Sequence, residues 1–297
     1  MRILPWNGYG GAFSLTFDDG DVSQAKIALH ILDSFDKKGT FFLTGGQSAF
    51  EKIWKEAWIN GHELGNHSMH HKLPITGEEY DAYEEVVKAK HFLEKRYGGV
   101  VLTYAYPYSF ITDGQIKYLQ GTHIGARAGD DGQVMLKAEH NVDWYRIPSF
   151  VATTDTDIVT YKRMIEQAVE ERAWVVLMIH AIEGIGSGYE PIPQEVLKGV
   201  LDEITKKNIW VAPFGEICAY WRAQKIVETA MRENKTENIV WNVPAFFKRK
   251  TVLKVESDLN EKYQLLQNGN IVVKTTGGFY EIVFNEGMLQ IVEKRKG

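Results

Sequence analysis

Asp18 and Asp19 stand side by side where an apolar run ends, in "SLTFDDGD". Two like charges in that position repel unless something separates or neutralises them. Alone, the pair reads as a solvated turn. Further along, "GHELGNHSMHHK" places His67 and His71 four residues apart, a spacing that stacks both imidazoles on one side of a helical turn. His62 and His70 make this segment richer in imidazole than the rest of the chain. A catalytic zinc takes three protein ligands and keeps one position open for water. His67 and His71 supply two, and one carboxylate of the aspartate pair supplies a third, which leaves the other carboxylate beside the water. A cation at that place removes the repulsion and gives the two acids separate roles. Strand alternation points neighbouring side chains to opposite faces, so the arrangement needs a strand that is already turning, as Gly20 permits. His62-Glu63 suggests the H-E-x-x-H pattern, but the next histidine falls one residue late and Gly65 weakens a helix there, so that pattern is rejected.

The elements that must position these residues alternate between short β-rich runs and helical stretches up to about Tyr220. Strands are predicted over Ala12–Phe17, Thr40–Leu43, Val100–Ala105, Ile124–Ala126, Trp174–Ile179 and Ile209–Ala212. Between them, Ala25, Ala28, Leu32 and Phe35 recur at helical spacing, as do Ala82, Val86, Ala89 and Leu93. A capping-box match of Thr76 with Glu79 opens the second stretch. Such alternation predicts an α/β fold with a mainly parallel sheet, open or closed into a barrel, whose chemistry gathers at the carboxyl ends of the strands. After Tyr220 the pattern changes to alternating and β-branched runs split by "NGN" and "TGG", a small antiparallel β-domain. The expected division is 1–225 for the main domain, 226–237 for a linker or helix end, and 238–297 for the β-rich accessory domain.

Bulk properties narrow the function classes. The 297 residues are 44% hydrophobic and 25% charged, as in an ordinary globular protein, and no apolar run is long enough to span a bilayer. The net charge of −5 comes without a basic block, which argues against nucleic acid as a partner. A lone cysteine, Cys218, excludes an internal disulfide and a multi-cysteine metal site, and its apolar surroundings in "EICAYW" make it a core residue. Met1 runs through "RILPWNGYGG" into the first strand with no charged n-region and apolar h-region. The location is cytoplasmic if Met1 is native and extracytoplasmic if a leader has been trimmed. Oligomeric state is left open.

Taken together, "TFDDG" and the later "HSMHH" resemble the first two motifs, T-F-D-D-G and H-[ST]-x-x-H, of the polysaccharide deacetylases of carbohydrate esterase family 4, the NodB-homology domain. The resemblance runs over roughly residues 3–220. It implies a NodB-type distorted (β/α) barrel, here followed by the small antiparallel β-domain. It implies that Asp18 is the general base and that Asp19, His67 and His71 hold one divalent ion, zinc first, with cobalt or nickel as alternatives. The family's third motif, R-x-P-Y, corresponds to "YAYPYS": Pro107 and Tyr108 match, and the Tyr108 backbone N–H is expected to help bind the oxyanion. Ala105 stands where the family's aspartate-tethering arginine would be, so a substitute is required. Arg127, in "IGARAG", is the first candidate and Arg146 the second. "WVVLMIHAIEG" fits the fifth motif, with Leu177 and with His180 as the general acid. Asp143-Trp144 in "VDWYRIP" is similar to the family's D-W pair, which orients the acid and walls the site.

The implied activity is hydrolysis of an acetyl group on an N- or O-acetylated sugar polymer or oligomer. Tyr106, Trp144, Tyr145 and Tyr189 are expected as stacking walls, and "GIGSGYEPIP" as a rim loop. Two other readings use the same residues: a catalytically inactive glycan-binding pseudoenzyme, or a hydrolase of a non-sugar amide on the same scaffold.

Overall fold

A computed structural model of the chain describes residues 1–46, 50–74, 80–129, 135–186, 188–233 and 238–294. Two compact units emerge, one of Gly10–Ile217 and one of Met1–Tyr9 with Cys218–Gly297. The expected limits lay at 225 and 238, and the chain start, expected in the main domain, falls in the second unit, where Arg2–Ile3 pairs antiparallel with Val255 and Glu256.

The larger unit is built on a nine-stranded sheet. From one edge its order is Gly125–Arg127, Thr103–Ala105, Glu63–Asn66, Thr40–Leu43, Gly11–Asp18 and Ala173–Ile179, and these neighbours are all parallel. Ile209–Val211 also pairs with the start of Gly11–Asp18. Phe150–Val151 lies parallel and Met135–Lys137 antiparallel on the far side of Ala173–Ile179. Ile147 bridges Arg127, and Phe150 pairs with Leu177 three residues later, so the segment between them joins the first edge strand to the last and the sheet curls into a distorted barrel. Every residue of Gly11–Asp18 and Ala173–Ile179 is buried. That is the state of central parallel strands covered on both faces, and it explains why they read as continuous apolar runs.

Five of the six predicted strands start and end within two residues of expectation, while Val100–Ala105 shortens to Thr103–Ala105. Glu63–Asn66 was not foreseen as a strand, since "HELGN" lacks alternation and β-branched residues. Gly65 explains its presence: a Cβ there would lie 2.4 Å from the Phe42 ring, so the neighbouring strand approaches only a glycine. The expected helices form over 24–34 and 84–97, and each begins with a wide π-type turn, Gln24–Ala28 and Glu84–Lys88. Such turns recur at functional sites. The Thr76–Glu79 capping box lies outside the described residues.

The second unit contains two antiparallel sheets. One holds Arg2–Ile3, Val252–Glu256 and Tyr280–Val283, and the other holds Asn238–Val240, Met288–Glu293, Tyr263–Gln267 and Asn270–Val272. The C-terminal β-rich expectation therefore holds. Its core includes Leu253, Val255, Ile282 and Phe284, and Trp241 Nε1 donates to Phe284 O at 2.8 Å. Cys218 is buried and forms no disulfide. No helix among the described residues is long and apolar enough to cross a membrane.

One buried acid fastens the lower end of the larger unit. Glu63, 2% exposed, accepts from Thr40 Oγ1 and Thr103 Oγ1, both at 2.8 Å, and from Gly215 N at 2.8 Å. Thr40 Oγ1 in turn accepts from Phe214 N. One carboxylate thus joins three strands to the start of the helix Phe214–Glu233 and satisfies an amide that the helix leaves unpaired. Replacing it by alanine strands three buried donors at about 1–3 kcal/mol each. Glu63→Ala is expected to lose at least about 3 kcal/mol in urea unfolding followed by circular dichroism, and Glu63→Gln, which keeps an acceptor oxygen, distinctly less.

Candidate metal and acid–base site

The central strand Gly11–Asp18 ends on the first of the two acids, and the backbone then turns left-handed at Asp19 (φ 74) and Gly20 (φ 68). A non-glycine residue at positive φ is uncommon, although aspartate tolerates it better than most. This turn answers the alternation problem, because it lets two consecutive carboxylates address one site in different directions.

Asp18 turns inward. Its Oδ2 meets the Arg127 guanidinium in a short ion pair whose side chains are 3% and 1% exposed. Its Oδ1 is buried without a hydrogen-bond partner. Arg127 ends its own strand, lies over the Phe42 ring at 5.4 Å, and donates from Nη1 to Ser149 Oγ at 3.2 Å. The Arg127 position proposed from the sequence thus reaches Asp18, while Arg146 pairs with Asp143 at 2.7 Å on the surface.

Asp19 faces the histidines. Its Oδ1 lies 3.4 Å from His67 Nε2 and 3.2 Å from His71 Nε2. One ligand atom from each of these three residues falls within 4.8 Å of the others, a spread that a single cation can span. The ring Nδ1 of His67 lies 2.9 Å from Ala105 O. A carbonyl only accepts, so Nδ1 carries a proton, and in the neutral ring Nε2 is the nitrogen left to bind a cation. Burial pushes the Asp19 carboxyl upward, but the neighbouring imidazoles of His67, His71 and His180 outweigh it and hold it at about 2. Burial also pulls His67 downward, against which Asp18 and Asp19 raise it on balance. His71 is lowered by burial and by His67. The donor set, one ionised carboxylate and two imidazoles at the mouth of a buried pocket of charge, fits a divalent transition metal such as zinc.

His67 and His71 do not share a helical turn, as their spacing had suggested. They lie in the loop after Glu63–Asn66, where Ser68 (φ 71) and His71 (φ 53) are left-handed and fold the chain back, so the rings approach at 4.8 Å between centroids. The loop takes its shape from polar contacts. Asn66 Oδ1 accepts from Ser68 N, and Ser68 Oγ accepts from His71 N.

His180 follows the strand Ala173–Ile179, whose register sets Ile179 beside Phe17, so His180 and Asp18 come one rung later on adjacent strands. Gln24 was not foreseen. Fully buried on the first wide turn, it donates from Nε2 to Asp18 O and to His180 O (2.6 Å), and so ties these two strand ends together. Only a polar residue inside an apolar helix face could have hinted at it.

Tyr108 and Ser109 are both left-handed (φ 55 and 57), and the Tyr108 ring, 64% exposed, packs edgewise on His71 at 4.6 Å. Across the site Tyr189, 65% exposed, packs edgewise on His180 at 5.1 Å. Its support is firm: Glu190, left-handed at φ 43, accepts Thr154 N at 2.9 Å, and Pro191–Ile192 pair with Ala181–Ile182. Ser187 of the expected rim loop lies outside the described residues.

Three sequence expectations change. Tyr106 is 2% exposed and its hydroxyl donates to Tyr145 O at 2.9 Å, so its ring belongs to the core with Tyr104 and Leu119 and offers no wall to a sugar. Tyr145 is buried in the same cluster, and Trp144 packs half-buried against it. Asp143 does not orient His180, since it pairs with Arg146 while His180 Nδ1 is buried without a partner.

The family model described as polysaccharide deacetylase matches residues 9–124. Two peptidoglycan-N-acetylglucosamine deacetylases of Bacillus cereus are similar. One is 31% identical over 107 residues, covering 35% of this chain and 39% of that protein. The other is 30% identical over 84 residues, covering 28% and 39%. The chain thus spans about two fifths of the length of the curated relatives it matches. A solved structure from Mycobacterium smegmatis, described as a polysaccharide deacetylase, shares the fold: TM-score 0.57 at 16% identity, over 76% of this chain and 95% of that one. The family match ends before Arg127 and His180, so those two assignments rest on geometry. Over residues 9–124 this chain thus matches the polysaccharide deacetylase family, in agreement with the resemblance its motifs carry.

Proposed function

We propose that the chain is a metal-dependent hydrolase that removes acetyl groups from an acetylated glycan. The observation that carries this reading is the pairing of two unlike features: an Asp–His–His cluster of ligand atoms within 4.8 Å, and beside it a buried carboxylate oxygen, Asp18 Oδ1, with no partner. Asp19, His67 and His71 are the residues that would hold the ion. When bound, a divalent ion supplies a Lewis acid that polarises the acetyl carbonyl and makes water more acidic.

The remaining work falls to this chain's own groups. Arg127 fixes one oxygen of Asp18 and leaves the other to take a proton from the attacking water. The new bond joins that water oxygen to the acetyl carbon. The Tyr108 backbone N–H, held in a left-handed turn beside His71, is the donor offered to the developing oxyanion. His180 gives a proton to the nitrogen or oxygen of the sugar as its bond to the acetyl carbon breaks, releasing acetate. Tyr189 presents an open ring next to the acid, suited to stacking on a neighbouring sugar. The Bacillus cereus relatives make an N-acetylglucosamine polymer the first substrate to test.

Acetate release from N-acetylglucosamine oligomers, measured with added zinc, cobalt or nickel, tests the reading. Asp18→Asn and His180→Ala are expected to lose roughly 10²–10⁴ in turnover with metal content unchanged, whereas His71→Ala loses both. A wild-type protein that loads metal and binds glycan but releases no acetate would instead be a pseudoenzyme, and release only from non-sugar amides would move the substrate class. Tyr189→Ala is expected to raise KM for oligomers about 2–12-fold with little change in kcat. Arg127→Ala leaves the Asp18 charge buried and uncompensated, so urea unfolding should show a loss of about 3–5 kcal/mol. Adding Asp18→Asn to that variant should recover part of the loss.

A further inference from the structure

Glu85 is a buried charge that none of the chemistry above uses. It is 2% exposed, on the wide turn Glu84–Lys88 that opens the helix running to Tyr97. Its Oε2 accepts two backbone amides, Met69 N at 3.0 Å and His70 N at 2.9 Å. Those residues lie between His67 and His71, in the loop whose left-handed positions at Ser68 and His71 each cost about 1–3 kcal/mol. Such a loop keeps its shape only if contacts over-determine it. Asn66, Ser68 and the Gly45 N–H to Ser68 O bond at 3.0 Å act on its ends. Glu85 grips its middle, with one oxygen accepting both amides.

We infer that Glu85 is a positioning residue for the cation site: it pins the Met69 and His70 peptides so that His71 is held opposite His67 and Asp19. The inference rests on the metal-binding reading above. It is distinct from a merely structural role, because the bonds fix the one segment that separates two ligands. The adjacent Glu84 supplies an internal control. It also reaches this loop, through the His70 ring at 3.0 Å, but both side chains are exposed, and exposed pairs contribute little.

The test is zinc affinity of the full chain by competition with a chelator, read alongside thermal melting of the metal-free protein. Glu85→Ala should weaken zinc binding by roughly 10–100-fold, the range seen when outer partners of metal ligands are removed. Glu85→Gln, whose amide oxygen still accepts both N–H groups, should stay close to wild type, and Glu84→Ala should match it. If Glu85→Ala does not fold, Glu85→Asp takes its place, since one methylene less breaks the double contact. The inference is overturned if the alanine or aspartate variant binds zinc as tightly as wild type, or if Glu84→Ala weakens it equally. A wild-type chain that binds no zinc would sink the metal reading itself, a different and separately visible outcome.

Discussion

Two carboxylates on consecutive residues at the end of a buried strand form an unstable arrangement until each finds its own counter-charge. Here the left-handed turn at Asp19 separates them. Asp18 goes to Arg127 in the interior, and Asp19 goes to two imidazoles at the mouth. The rest of the site follows from that split. An acid tied to a guanidinium through one oxygen keeps its other oxygen available, and an acid facing two imidazoles completes a donor set that fits a cation. Like charges that would oppose folding become two tools with different jobs.

The fold explains how so many groups reach one place. Asp18, Ala105 and Arg127 each end a strand, and His67 and His180 each follow one, so all five sit at the carboxyl edge of a parallel sheet. Parallel strands expose at this edge the residues least needed for the core, and the loops there vary without disturbing the sheet. The absent arginine at Ala105 shows this freedom. The guanidinium arrives from the neighbouring strand, at the register partner of Ala105 itself, and the Ala105 carbonyl is used instead to set the His67 tautomer.

Much of this was legible in the sequence because the motif residues are local. Asp18, Asp19, His67 and His71 announce themselves by type and spacing, His180 by the motif resemblance, and strands such as Thr40–Leu43 by composition. What stayed hidden is long-range. The helical reading of His67 and His71 failed because i, i+4 spacing is equally produced by a loop with two left-handed residues. Tyr106 looked like a sugar wall because an aromatic beside a motif carries no sign of which face it takes, and the cluster of Val86, Leu119 and Tyr145 that buries it comes from three distant segments. Gln24 and Glu85 were invisible for the same reason: each acts on backbone atoms, which leave no mark in a sequence.

Gln24 has a wider consequence. By bonding to the carbonyls of Asp18 and His180 at once, it makes the gap between these two strand ends a property of the sheet, whose neighbouring strands keep a spacing of about 4.8 Å. The loops at the rim can then differ in shape while the two strand ends keep their separation. Under the proposed mechanism, selectivity and chemical power would then sit on separate parts of the molecule, free to change one without the other.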